Sequence, residues 1–94
     1  MKVTVRITEI LPLESGVTQE GRDWTRRTFA GQTVGLDDMI LAFEVSSATQ
    51  LETLEAMEVG QRCEVTFYLS SRRHNDGKRT RYFTSLRATD IVKL

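Results

Sequence analysis

The sequence predicts an all-β domain: five strands, with one short helix between the third and the fourth. Three observations carry that prediction. Apolar and polar residues alternate with period two along most of the 94-residue chain. The alternation gives way to helical spacing between Ser47 and Met57. Turn-forming Gly, Asn and Asp residues separate the alternating runs.

The first strand opens on Val3, Val5 and Ile7, which alternate with Lys2, Thr4, Arg6 and Thr8. The phase breaks near Thr8–Ile10, because Ile10, Leu11 and Leu13 follow Glu9; a β-bulge or a sharp coil there would change which side chains face inward. Pro12, which has no N–H to donate, suits the strand's end. Residues 14–22 are polar, contain Gly16 and Gly21, and read as a loop. Asp23–Thr33 holds Trp24, Thr25, Thr28, Phe29 and Thr33, which favour pleated structure, and forms the second strand. Gly35-Leu36-Asp37-Asp38 reads as a turn, and Met39, Leu41, Phe43 and Val45 set the inward parity of the third strand.

In the helical segment Ser47 is placed as N-cap, with Gln50 three residues on as its capping-box partner. Ala48, Leu51 and Leu54 mark the apolar side, Gly60 is the expected stop, and the length is about three turns. Cys63, Val65, Phe67 and Leu69 define the inward face of the fourth strand. Asn75-Asp76-Gly77 signals a hairpin turn, since these residues tolerate the positive φ that tight turns need. Tyr82 to Val92 is the fifth strand, with Tyr82, Thr84, Leu86 and Ala88 on one parity and a shift before Ile91. Val5, Phe29, Phe43, Val65, Phe67 and Leu86 are expected to share one core.

A long bent first strand, a helix between strands three and four and a long last hairpin together read as a five-stranded Greek-key barrel, the OB-fold, over residues 1–94. An SH3-like barrel places only a single helical turn late in the chain, and an open α+β sheet is the other alternative. The length allows one core and not two. With 39% hydrophobic and 28% charged residues the composition is that of a globular domain. A single Cys excludes an intramolecular disulfide and a multi-Cys zinc site. The alternating N-terminus does not read as a signal peptide, and the apolar runs are too short to span a membrane, so the expected location is the cytoplasm.

Trp24, Phe29, the segment Leu54 to Val65 with Val59-Gly60 inside it, and the run Tyr82-Phe83-Thr84-Ser85-Leu86-Arg87-Ala88 resemble a family of short bacterial and phage proteins. The resemblance covers Val3 to Val92 and implies a single OB-fold domain of unassigned function. The family pattern carries a second Trp after that Ala, where this chain has Thr89. The architecture also looks like that of single-stranded DNA-binding and primosomal OB proteins.

An OB-fold that takes an oligonucleotide needs a positive path for phosphates and aromatic faces for bases. The thirteen basic and thirteen acidic residues cancel overall, yet they are unevenly distributed. Residues 72–81 hold Arg72, Arg73, Lys78, Arg79 and Arg81 against Asp76 alone, a basic finger on the last hairpin. Arg22, Arg26 and Arg27 stand against Asp23, while Glu52, Glu55, Glu58 and Glu64 face only Arg62. Such runs are often merely solvated; ten Arg to three Lys shifts the balance towards binding, because Arg forks onto phosphate and stacks on bases.

Phe29 sits mid-strand and resembles the family's core position, so Trp24, of opposite parity, is expected outward beside Arg26, either as a stacking platform or as a cap on the open end of the barrel. Tyr82 and Phe83 are further stacking candidates, whereas cross-strand packing is the ordinary role of strand aromatics such as Tyr68 and Phe83. Cys63 reads as a buried hydrophobe and His74 as a solvent-exposed residue of the finger tip. No Gly-rich phosphate loop, HExxH or G-x-S-x-G motif occurs, and Asp37-Asp38 and Ser46-Ser47 are explained by a turn and a helix cap. The expected function is therefore non-catalytic binding of single-stranded nucleic acid, DNA preferred over RNA by analogy with the single-stranded DNA-binding OB proteins, without metal or cofactor. The candidate residues are Trp24, Arg26, Arg27, Arg72, Arg73, Lys78, Arg79, Arg81, Tyr82 and Phe83. The rival is a protein-interaction or homo-oligomerisation module that docks a partner through the helix or a strand edge.

Overall fold

A computed structural model describes residues 1–35 and 38–94. Leu36 and Asp37, half of the turn expected at 35–38, lie outside the described residues. The elements are β1 (Lys2–Ile10), β2 (Glu14–Val17), β3 (Asp23–Thr33), β4 (Ile40–Val45), α1 (Ala48–Glu55), β5 (Arg62–Asn75) and β6 (Thr80–Lys93). Five of the strands close on themselves. β1 pairs with β3, β3 with β4, β4 with β6, β6 with β5, and β5 returns to β1. Every link is antiparallel except β4–β6. This ring, with one helix entering between β4 and β5, is the OB-fold, and β3 to β6 are the second to fifth strands of the sequence reading.

The strand count differs from five because β2 forms inside the stretch 14–22, which the sequence predicts as loop. Its residues Glu14-Ser15-Gly16-Val17 show no alternation, and they become a strand only by pairing with Asp23–Arg26 of β3 across a tight hairpin. Both expected phase breaks are bulges. In β1 the register with β3 shifts between Ile7 and Glu9. In β6 Thr66 faces Asp90 while Phe67 faces Ala88, so Thr89 is the extra residue, and its Oγ1 donates to the Thr66 carbonyl oxygen at 3.2 Å. That insertion lets Ala88 and Ile91, three apart, both point inward.

The core is built from Val5, Ile7, Phe29, Phe43, Val45, Leu54, Met57, Cys63, Val65, Ala88 and Ile91. Phe29 stacks on Phe43 at 5.1 Å, and Phe67 meets Phe43 edge-on at 5.5 Å. Phe67 and Leu86 are only partly buried, and Leu69 is 56% exposed despite its inward parity. β1 pairs with β5 only as far as Thr66, and Leu69 lies further out, on the part of β5 that outruns that pairing. Met39 is exposed and precedes β4.

The helix is shorter than expected: eight residues, ending at Glu55 with Ala56 as C-cap. Ser47 Oγ accepts from the Gln50 N–H at 3.2 Å, which is one half of the capping box. The other half is absent, because the Gln50 side chain turns inward and its Oε1 accepts from the buried Ile91 N–H at 3.0 Å. Gln50, Leu54 and Met57 are the buried positions, and Ala48 is exposed. Gly60 does not end the helix. At φ +95° it turns the chain into β5, and its N–H donates to the Ile7 carbonyl oxygen at 2.8 Å. Among the described residues no helix is long and apolar enough to cross a membrane.

Candidate nucleic-acid interface

β5 and β6 are fourteen residues each and outrun the ring. β4 pairs with β6 only at Leu86 and Arg87, so the outer halves of β5 and β6 have only each other. The result is the basic finger expected from sequence. Its tip is closed by side chains: Asn75 Oδ1 accepts from Gly77 N–H at 2.7 Å, and Asp76 Oδ1 accepts from the Lys78 and Arg79 N–H groups at 3.0 and 2.9 Å. These bonds favour the charged carboxylate and hold Asp76 below the ordinary aspartate range.

Alternation assigns the finger's side chains to two faces. Arg72 stands opposite Phe83, and His74 opposite Arg81, on the face that continues outward from Tyr68 and Arg87. Arg73 stands opposite Tyr82 on the other face, which continues from Leu69 and Leu86. Tyr82 is 69% exposed there. Lys78 and Arg79 belong to the turn.

The first of these faces meets the outer side of β3 and β4. Arg26, Glu44, Ser70, Arg72, Phe83, Ser85 and Arg87 line one small hollow of about 80 Å³. Thr28 and Glu44 are cross-strand partners, as are Glu44 and Arg87, so this row runs straight across β3, β4 and β6. Arg87 Nη2 lies 3.8 Å from Glu44 Oε2, too long for a hydrogen bond, and that oxygen is buried without a donor. A second hollow, of about 310 Å³, opens on the other side of Glu44, where β4 and β6 diverge; Thr28, Ile40, Leu41, Ala42, Thr84, Ser85 and Leu86 complete its walls.

Trp24 lies on the outer parity of β3, as expected, and is 38% exposed. Its position depends on β2. Gly16 pairs with Trp24, and a Cβ on Gly16 would come within 2.6 Å of the indole, so only glycine lets the ring lie against that strand. The Arg26 guanidinium carbon is 5.4 Å from the ring centroid, within cation–π range. Arg26 Nη2 also donates to Glu14 Oε2 at 2.9 Å; this bond, with the nearby charges of Glu14 and Glu44, raises the guanidinium pKa above its usual value despite some opposing desolvation.

Trp24, Arg26, Arg72, Arg81 and Phe83 thus share one side of the molecule. Arg27, Arg73 and Tyr82 do not join them. Arg27 has the inward parity of Val45, its partner, and its Nε donates to the Leu11 carbonyl oxygen at 2.8 Å. Glu14, Glu44 and Arg87 border the same surface and are not among the residues expected from sequence. Their relevance comes from the β2–β3 hairpin and the parallel β4–β6 link, which join residues far apart in sequence. Cys63 is buried in the core, and burial pushes its thiol pKa up. Among the described residues no group of three metal-ligating side chains converges.

The fold likeness to known structures is clear. A chain of the Plasmodium falciparum SSB complex with ssDNA superposes with a TM-score of 0.61 at 12% identity, covering 100% of this chain and 92% of that one. No curated protein matches the chain in sequence. The domain family DUF3127, a domain of unknown function, matches residues 2–91, and the chain belongs to that family.

Proposed function

We propose that this domain binds single-stranded nucleic acid, DNA in preference to RNA, across the outer face of β3, β4 and β6, and that it catalyses no reaction. The observation that carries the reading is the convergence of two aromatic rings and four guanidinium groups, Trp24 and Phe83 with Arg26, Arg72, Arg81 and Arg87, on one side of an OB ring between two hairpins. Aromatic faces take bases, and guanidinium groups track phosphates. Lys78 and Arg79 extend the charge to the finger tip. The likeness in fold to a chain of an SSB complex with ssDNA supports a nucleic-acid ligand and is the ground for preferring DNA. Cytoplasmic location is part of the proposal.

The test is a fluorescence titration of the single Trp with oligothymidine and oligouridine of about thirty nucleotides. Quenching that saturates, tighter for DNA, is the expected result. With three or four phosphates held, log K should fall against log salt with a slope of roughly −2 to −3, from about −0.7 per phosphate on a single strand. Absence of binding at low salt would overturn the reading and leave a protein partner or a second copy of the chain as the ligand of this surface.

A further inference from the structure

Glu44 is out of place in a groove that only follows phosphates. Glu44 lines both hollows of the outer face. It would repel a phosphate at that point and weaken the field of Arg26, Arg72 and Arg87 around it. Nor does it earn its place as an ion pair: the approach to Arg87 is 3.8 Å, and Oε2 is left without a hydrogen-bond donor. A buried acceptor without a donor is costly in the free protein, and a ligand that supplies N–H groups removes that cost.

The two hollows divide the chemistry. The smaller one is rich in guanidinium groups, which suits phosphate. The larger one has an apolar wall of Ile40, Leu41, Ala42 and Leu86, hydroxyls from Thr28, Thr84 and Ser85, and Glu44 at the edge it shares with the smaller one. At about 310 Å³ it has room for a planar base. We propose that Glu44 makes this hollow a guanine subsite, accepting hydrogen bonds from the Watson–Crick edge of the base while the adjoining phosphate lies over Arg26, Arg72 and Arg87. The proposal rests on the nucleic-acid reading above and sharpens it from tolerance of any base to selection of one.

The choice of guanine follows from donor patterns. Guanine presents N1–H and N2–H side by side, two parallel donors that match the two oxygens of a carboxylate. Adenine and cytosine place an acceptor ring nitrogen beside their amino group, which would face the second oxygen. Thymine offers a single N3–H between two carbonyl oxygens. Only guanine satisfies the carboxylate without setting acceptor against acceptor.

The test is competition against labelled oligothymidine, read by anisotropy, on the full chain. Competitors are oligothymidines in which a few thymines are replaced by guanine, inosine or 7-deazaguanine. Guanine should compete at roughly tenfold lower concentration than thymine alone, the scale of one bidentate base contact. Inosine lacks the N2 amino group and should lose most of that advantage; 7-deazaguanine keeps the Watson–Crick edge and should retain it. Glu44→Gln should abolish the advantage of the guanine competitor over the thymine one. If Glu44→Gln does not fold, the three base analogues on the parent protein decide the matter. Binding with no preference for guanine, or a preference that 7-deazaguanine loses, overturns the guanine subsite and leaves the general reading standing. No binding to any oligonucleotide overturns both.

Discussion

Arg72 and Arg73 are adjacent in sequence, yet the ribbon sends them to opposite faces, and this predicts unequal effects on binding. Arg72 stands opposite Phe83, and Arg81 opposite His74, on the groove side; Arg73 stands opposite Tyr82 on the other. On the proposed reading, replacing Arg72 and Arg81 by Ala should remove two phosphate contacts. The salt slope should flatten by about 1.4, from about 0.7 per contact. With the contacts extrapolating to no electrostatic gain near 1 M salt, that change weakens binding about tenfold at physiological ionic strength, or about 1.4 kcal/mol. Arg73→Ala should leave the slope within about 0.3 of the parent, because the side chain points away from the groove. The assay is the oligothymidine titration repeated across a salt series for each variant. A slope change for Arg73→Ala as large as for the double variant would refute the face assignment. An unchanged slope in the double variant would move the site off the finger.

Three further outcomes follow from the geometry. Gly16→Ala should displace the Trp24 indole, shifting the emission of the only Trp and weakening oligonucleotide binding; unchanged emission would show that the ring does not rest on β2. Gln50→Ala should cost about 1–3 kcal/mol in a denaturant melt, because the buried Ile91 N–H loses its acceptor; a loss below about 0.5 kcal/mol would mean that another group takes over. Burial raises the Cys63 pKa in the folded state, so its contribution to stability is complete below the unfolded thiol's pKa and is lost as pH rises through that value towards the folded one. Cys63→Ser should remove this alkaline loss, and in the parent the thiol should react with a thiol reagent far faster in denaturant than in buffer.

How much of this was written in the sequence depends on how local the cause is. Period two placed Val5, Phe29, Phe43, Cys63 and Val65 inside, because in a strand each side chain's face is set by its own position. The breaks at Thr8 and Thr89 were visible as phase errors for the same reason. Exposure was less legible than parity. Leu69 has the right parity but lies on the part of β5 that runs past its pairing with β1, which only the strand lengths in three dimensions reveal. β2 was illegible because Gly16 and its neighbours become a strand through pairing with β3, not through their own preference. The finger's charge was legible as a run; its division into two faces required the register. Glu44 and Arg87 come together through a two-residue parallel contact between strands more than forty positions apart, and no local pattern announces that.

The closure of the ring also sets an order of events as the chain leaves the ribosome. β4 can pair with β3 as soon as residue 45 emerges, but its other neighbour, β6, presents Leu86 and Arg87 only some forty residues later. At about 5–20 residues per second, that edge stays open for roughly 2–8 s. During that interval Ile40, Leu41, Phe43 and Val45 form a short apolar strand with unsatisfied backbone groups, the kind of template that recruits another chain. A nascent chain stalled before β6 should therefore aggregate or occupy a chaperone, and the strand that closes the ring is the one that makes the earlier ones safe.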